Sequence, residues 1–94
     1  MTRTELQQIA AIERYTANIG SIRPHWVLTV YGVDGDKSWT IDGPYWTFEM
    51  GRTALAYVRV IRGLQAELWT IESDGSAGKW VPEGEVITEE TEVE

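Results

Sequence analysis

The sequence predicts an α+β domain: a small antiparallel sheet of about four strands with two helices, in the order α-β-β-α-β-β. Three observations point there. The chain opens with a capped amphipathic stretch, continues with β-branched and aromatic runs on both sides of an Asp-Gly pair, and then repeats the pattern of helical period followed by alternation. With 94 residues and no internal repeat there is room for one core. Residues 1–82 are expected to form that domain and residues 83–94 an acidic tail.

Residues 4–19 read as the first helix. Thr4 followed by Gln7 makes a capping box, and Leu6, Ile9, Ile12, Thr16 and Ile19 recur at three- and four-residue spacing as one apolar stripe. Gly20 and Pro24 then stop it. A helix of this length needs a surface to lie on, either its own sheet or a partner's groove.

His25 to Val33, HWVLTVYGV, reads as a strand with Trp26, Leu28 and Val30 on one face. The reverse face holds Val27, Thr29, Tyr31 and Val33, so both faces carry bulk and the strand is expected to be central or covered by the first helix. Asp34-Gly35 is a hairpin signal. A second strand over 37–42 points Trp39 and Ile41 one way and Ser38, Thr40 and Asp42 the other.

Residues 47–64, TFEMGRTALAYVRVIRGL, alternate enough over AYVRVIRG to suit a strand as well as a helix. The angular test favours helix. At about 100° per residue, Met50, Ala54, Tyr57, Val58, Ile61 and Leu64 share one arc, with Glu49, Arg52, Ala56 and Arg59 opposite. Thr47 is the expected N-cap and Gly63 the expected stop, while Gly51 weakens the helix by about 1 kcal/mol relative to alanine. A third strand over 66–72 sets Ala66, Leu68 and Thr70 against Glu67, Trp69 and Ile71. SDGSAG marks a turn, and GKWVP a short edge strand.

Composition narrows the function. Cysteine is absent, which excludes disulfides and thiolate metal sites. MTRTELQQIAAIERY lacks the pattern of a signal peptide, and no stretch approaches the roughly 18 apolar residues of a membrane span, so a soluble cytoplasmic protein without membrane contact is expected. The formal charge is −7, and six glutamates without a basic residue fall within 83–94. The other 82 residues are nearly neutral. Arg52, Arg59 and Arg62 are the only basic grouping, which is too little for a nucleic-acid face. A polyanion mimic of DNA acting through the tail is an alternative.

VDGDKSWTIDG, residues 33–43, alternates oxygen-bearing side chains at Asp34, Asp36, Ser38, Thr40 and Asp42. An EF-hand loop starting at Asp34 would need glycine at its sixth position and glutamate at its twelfth, where this chain has Trp39 and Tyr45. The alternation is what the polar side of a strand produces, so no metal is expected. His25 is the single histidine and has no cysteine partner. Gly32, Gly35 and Gly43 lie in or beside the hairpin, not before a helix, so no phosphate loop is present. These features call for no cofactor and no enzymatic activity.

Five Trp and four Tyr exceed what so small a core needs. Tyr45 and Trp46, in the loop GPYWT before the second helix, are the first candidates for a partner-binding surface, with Arg52, Arg59 and Arg62 along the helix as charged anchors. Exposed tryptophans could equally stack on sugars.

GPYWTFEMGRTALAYVRVIRGLQAELWTI, residues 43–71, resembles a pattern of small αβ accessory proteins of actinobacteria and their phages, and is more distantly similar to half of a SPOR domain. The first resemblance implies a protein that binds and modulates a host protein. The second implies glycan binding, although this chain has an extra N-terminal helix and no tandem βαβ repeat. The expected function is therefore a non-enzymatic protein–protein interaction module with an unknown host or cellular protein as partner. A SPOR-like glycan or small-ligand binding module is the alternative, and a homodimer is possible.

Overall fold

The structure is a computed structural model and describes residues 2–19, 23–33 and 35–81, with the backbone alone of 35–37. The expected turn at Asp34-Gly35, the stop at Gly20 and the acidic segment 83–94 lie outside the described residues. The chain runs α1 (Arg3–Ile19), β1 (His25–Gly32), β2 (Gly35–Tyr45), α2 (Phe48–Ala56) with a π-helical turn (Tyr57–Ile61), β3 (Ala66–Ile71) and β4 (Ala77–Lys79). This is the α+β order that the sequence predicts. The strands form one antiparallel sheet in the order β2-β1-β3-β4.

β1 is central because both of its faces are apolar and each needs cover. Leu28 and Val30 pack with Ala66 and Leu68 of β3 under Leu55 and Val58 of the second helix. Val27 packs on the opposite face with Trp69 and Ile71 under Ile12 of α1. The sheet thus lies between two helices, one per face. Val33 falls beyond β1 in the turn and is exposed, so it does not extend the α1 face as expected.

α1 begins with a capping box, but at Thr2 and Glu5, not at Thr4 and Gln7. The Glu5 N–H donates to Thr2 Oγ1 at 3.0 Å and the Thr2 N–H donates to Glu5 Oε1 at 2.9 Å. A carboxylate is a stronger acceptor than an amide and suits the positive end of the helix. Ile9 and Ile12 of the expected stripe face inward, but the face is shifted at its start. Leu6 is 57% exposed, whereas Gln8 and Ile12 are fully buried and Tyr15 packs beside them.

What turns Gln8 inward is a polar network on the α1 face of the sheet. Gln8 Nε2 donates to the Tyr31 hydroxyl at 2.8 Å, and that hydroxyl donates to Glu67 Oε1 at 3.1 Å. Thr29 donates to the same oxygen at 3.2 Å and accepts from Trp69 Nε1 at 3.0 Å. Lys79 of β4 closes the set, donating to Glu67 Oε2 at 3.4 Å and to Glu5 Oε2. Burial alone would lower the Lys79 ammonium, but Glu5 and Glu67 outweigh it and hold it above its ordinary value. Burial alone would raise the Glu5 carboxyl, but Lys79 and the Thr2 donors outweigh it and hold it below its ordinary value.

On the other face α2 is capped as expected, with Thr47 Oγ1 accepting from the Met50 N–H at 3.1 Å. Its line of closest approach is Gly51, Leu55 and Val58, which are all buried. A Cβ on Gly51 would stand 3.0 Å from Leu68 Cδ1 and 3.2 Å from Trp26 Cβ, so its absence lets the helix settle low on β1 and β3. Gly63, at φ 68°, ends the element and lets the Leu64 N–H reach the Val58 carbonyl at 3.2 Å. Past the 72–76 turn, where Ser76 N–H and hydroxyl both donate to Asp74, β4 is followed by Trp80, whose N–H donates to the Leu68 carbonyl at 2.8 Å.

Two predictions follow from these contacts. Gly51→Val lowers stability by about 1–3 kcal/mol because the helix must lift, whereas Ala56→Val on the exposed side of α2 changes it by less than about 0.5 kcal/mol. Equal effects of the two in urea denaturation would contradict the close approach. The Glu5–Lys79 pair sets a pH dependence. Because folding lowers the Glu5 pKa, its stabilisation is present above the ordinary value of 4.5 and is lost as pH falls through the folded value. Because folding raises the Lys79 pKa, its stabilisation is present below 10.5 and is lost as pH rises through the folded value. In Lys79→Met the acid limb of the stability curve becomes shallower; an unchanged limb would show that the pair contributes nothing.

Candidate functional site

One helix covers only part of a four-stranded sheet. An α-helix with side chains is about 10–12 Å wide and strands lie about 4.8 Å apart, so α2, seated on β1 and β3, meets β2 at Tyr45 and leaves the same face of this edge strand exposed at Ser38, Thr40 and Asp42. The exposed apolar residues of this face lie on the flank of the helix that overlooks this shelf.

The apolar arc, Met50, Ala54, Tyr57, Val58, Ile61 and Leu64, is wider than the surface available to it. Val58 is buried and Ala54 and Leu64 are partly buried. Met50, Tyr57 and Ile61 remain 51%, 55% and 67% exposed. Met50, Ala54, Tyr57 and Val58 form one wall of a groove of about 570 Å³, and Tyr45 of β2 forms the other. Asp42 and Glu49 stand at one end of the groove; Arg62 stands at the opposite end, over Ser38 and Thr40 at the start of β2.

Tyr45 reaches this face through a bulge. Trp26 pairs with Tyr45 and Leu28 with Asp42, so β2 spends one residue more than β1 between the two pairs. The extra residue reverses the alternation and turns Tyr45 to the α2 side, where it packs against the Leu28 cluster. Gly43 serves the bulge with φ 143°, and a Cβ there would meet the Trp26 carbonyl at 3.3 Å. The Tyr45 hydroxyl donates to Asp42 Oδ2 at 2.9 Å. Burial, reinforced by that carboxylate, pushes its pKa up to about 12, so the phenol stays neutral and the pair is fixed across the physiological range.

Of the five expected partner-binding residues, the structure brings Tyr45 and Arg62 into the groove. The other three lie apart from it. Trp46 is half-buried, with the Arg23 guanidinium 4.2 Å over its ring and His25 at 5.5 Å, so one face of this indole is already covered. Arg52 pairs with Glu49 at 3.4 Å on the exposed side of α2. Arg59 donates twice to the Ala66 carbonyl, at 3.1 and 2.8 Å, and so ties the π turn to the start of β3. Sequence reasoning placed Asp42 on the polar side of its strand and Glu49 opposite the apolar arc, and both are exposed, but it did not name Met50 and Tyr57 as surface residues. The signal was present in the width of the α2 arc, which exceeds what a single helix can bury against two strands.

A larger hollow of about 820 Å³ lies beside Arg59, Tyr31 and Glu67. Its charged groups are committed to the fold, Arg59 to the Ala66 carbonyl and Glu67 to Thr29, Tyr31 and Lys79. His25 is fully buried, and its Nδ1–H donates to the Arg23 carbonyl at 2.8 Å. Among the described residues no three His, Asp or Glu side chains come together in a way that could hold a metal ion, and no helix is long and apolar enough to cross a membrane. Comparison of the chain with protein-family models, curated proteins and solved structures finds no match.

Proposed function

We propose that this protein is a non-enzymatic protein–protein interaction module whose contact surface is the groove between α2 and β2. The observation that carries the proposal is the exposed half of the α2 stripe. Met50 and Tyr57 are exposed on the groove wall, with Ala54 between them and Ile61 exposed a turn further on, and exposed apolar side chains gathered on a small domain with a polar rim are the mark of an interaction site. Tyr45 and Tyr57 supply the aromatic contacts that dominate interface energetics, and Arg62 supplies a charged one. On the resemblance of residues 43–71 to accessory proteins of actinobacteria and their phages, the partner is a host protein that the module binds and modulates.

The test is selection of displayed random peptides on the immobilised full-length protein, followed by affinity measurement with variants. Tyr57→Glu and Met50→Glu, both at exposed positions, are expected to weaken every selected peptide by about tenfold or more, in line with loss of a hot-spot side chain. Leu6→Glu, exposed on α1 at the far side of the sheet, is expected to leave affinity unchanged. Peptides that bind the groove variants as well as the parent would refute the proposal.

A further inference from the structure

Resting on that reading of the groove, we infer that its occupant is an extended peptide segment of the partner that joins the sheet as a strand beside β2. The backbone of β2 supplies the reason. The Tyr31 N–H donates to the Gln65 carbonyl, on the β3 side. Odd-numbered residues of β1 therefore address β3 and even-numbered ones address β2. The β1–β2 pairs Leu28 with Asp42 and Val30 with Thr40 are then the hydrogen-bonded ones. It follows that the N–H and C=O groups of Trp39 and Ile41 point away from β1, and among the described residues no strand lies on that side.

An open edge of this kind is commonly guarded by lysine, by proline or by a bulge within the run. In β2 such guards stand at the two ends, with Lys37 and a register shift before Trp39 and a bulge and Pro44 after Asp42; between them Trp39 to Asp42 pairs regularly with β1 and holds neither lysine nor proline. An incoming strand would bond Trp39 and Ile41 through its backbone and send alternate side chains over the shelf toward Tyr45 and Tyr57. A helix laid in the groove would leave those two residues' backbone groups unbonded.

The ends of the groove set the charge of the peptide. Glu49 is already paired with Arg52, but Asp42 at the same end accepts only from the neutral Tyr45 hydroxyl and calls for a basic residue, and Arg62 at the other end, whose guanidinium pairs with no side chain among the described residues, calls for an acidic one. Antiparallel addition, the slightly more stable pairing, places the basic residue at the amino end of the segment and the acidic residue at its carboxyl end. The four regularly paired residues, Trp39 to Asp42, span about 14 Å, so the recognition core is about four to six residues long.

The experiment uses two displayed peptide libraries of equal composition on the full-length protein. In one, leucine, valine, tyrosine and phenylalanine alternate with threonine and serine between a basic amino end and an acidic carboxyl end. In the other, the same residues follow a helical period. Enrichment from the alternating library, binding reduced about tenfold by Tyr57→Glu, and an N-methyl scan in which every second peptide position abolishes binding while the positions between tolerate it would together establish strand addition. Binders drawn from the helical library that remain sensitive to Tyr57→Glu would overturn the strand and keep the groove. Binders from either library that ignore Tyr57→Glu would overturn the groove itself. No enrichment from either, or a dimer in sedimentation that Tyr57→Glu dissociates, would replace the peptide with a second copy or discard the inference.

Discussion

The fold depends on one strand that is apolar on both sides. β1 presents Leu28 and Val30 to one face and Val27 to the other, and neither set can be left in water when burying a Leu or Val side chain is worth about 1.5–3 kcal/mol. A single helix cannot cover two faces, so the chain supplies one before the hairpin and one after it. Each helix settles where the apolar density is highest, over β1 and β3. The consequence falls on β2, which completes the sheet on one side, meets α2 at its Tyr45 end and keeps its outer edge open.

The two faces are solved by different chemistry. On the α2 side the contact is apolar, and Gly51 lets the helix settle close enough for Leu55 and Val58 to fill the space above Leu68. On the α1 side the contact is specified by hydrogen bonds. Glu67 accepts from Thr29, Tyr31 and Lys79, while Gln8 reaches Tyr31 from the helix and Glu5 reaches Lys79 from its first turn. A buried polar group left unpaired costs about 1–3 kcal/mol, so this network penalises any rotation or slip of α1 that separates the partners. Apolar packing holds α1 on the sheet, and the network chooses which of its sides faces in.

That division explains what was legible in the sequence. Features set by local chemistry were readable: the double apolar face of β1, the Thr47 cap, the stop at Gly63, and the alternation of Ala66 and Leu68 against Trp69 and Ile71. Features set by partners distant in the chain were not. Gln8 turns inward because of Tyr31, and Glu5 caps at Thr2 while meeting Lys79, so no window of sequence around α1 contains the reason. The candidate site was half legible for the same cause. Tyr45 and Arg62 were identified, but the facing of Tyr45 depends on a bulge between Asp42 and Tyr45 that only its pairing with β1 defines. The exposure of Met50 and Tyr57 depends on where α2 comes to rest, which the close approach at Gly51 controls.

The central claim is that β2 is an open edge beside an uncovered apolar groove. Amide hydrogen exchange of the free protein along β2 tests it most directly. The account predicts alternation: slow exchange at Thr40 and Asp42, whose N–H groups are bonded to β1, and fast exchange at Trp39 and Ile41, whose N–H groups face away from it. Uniform protection across the four residues at a concentration where the protein is monomeric would contradict it, because it would mean that another part of the chain already occupies the edge.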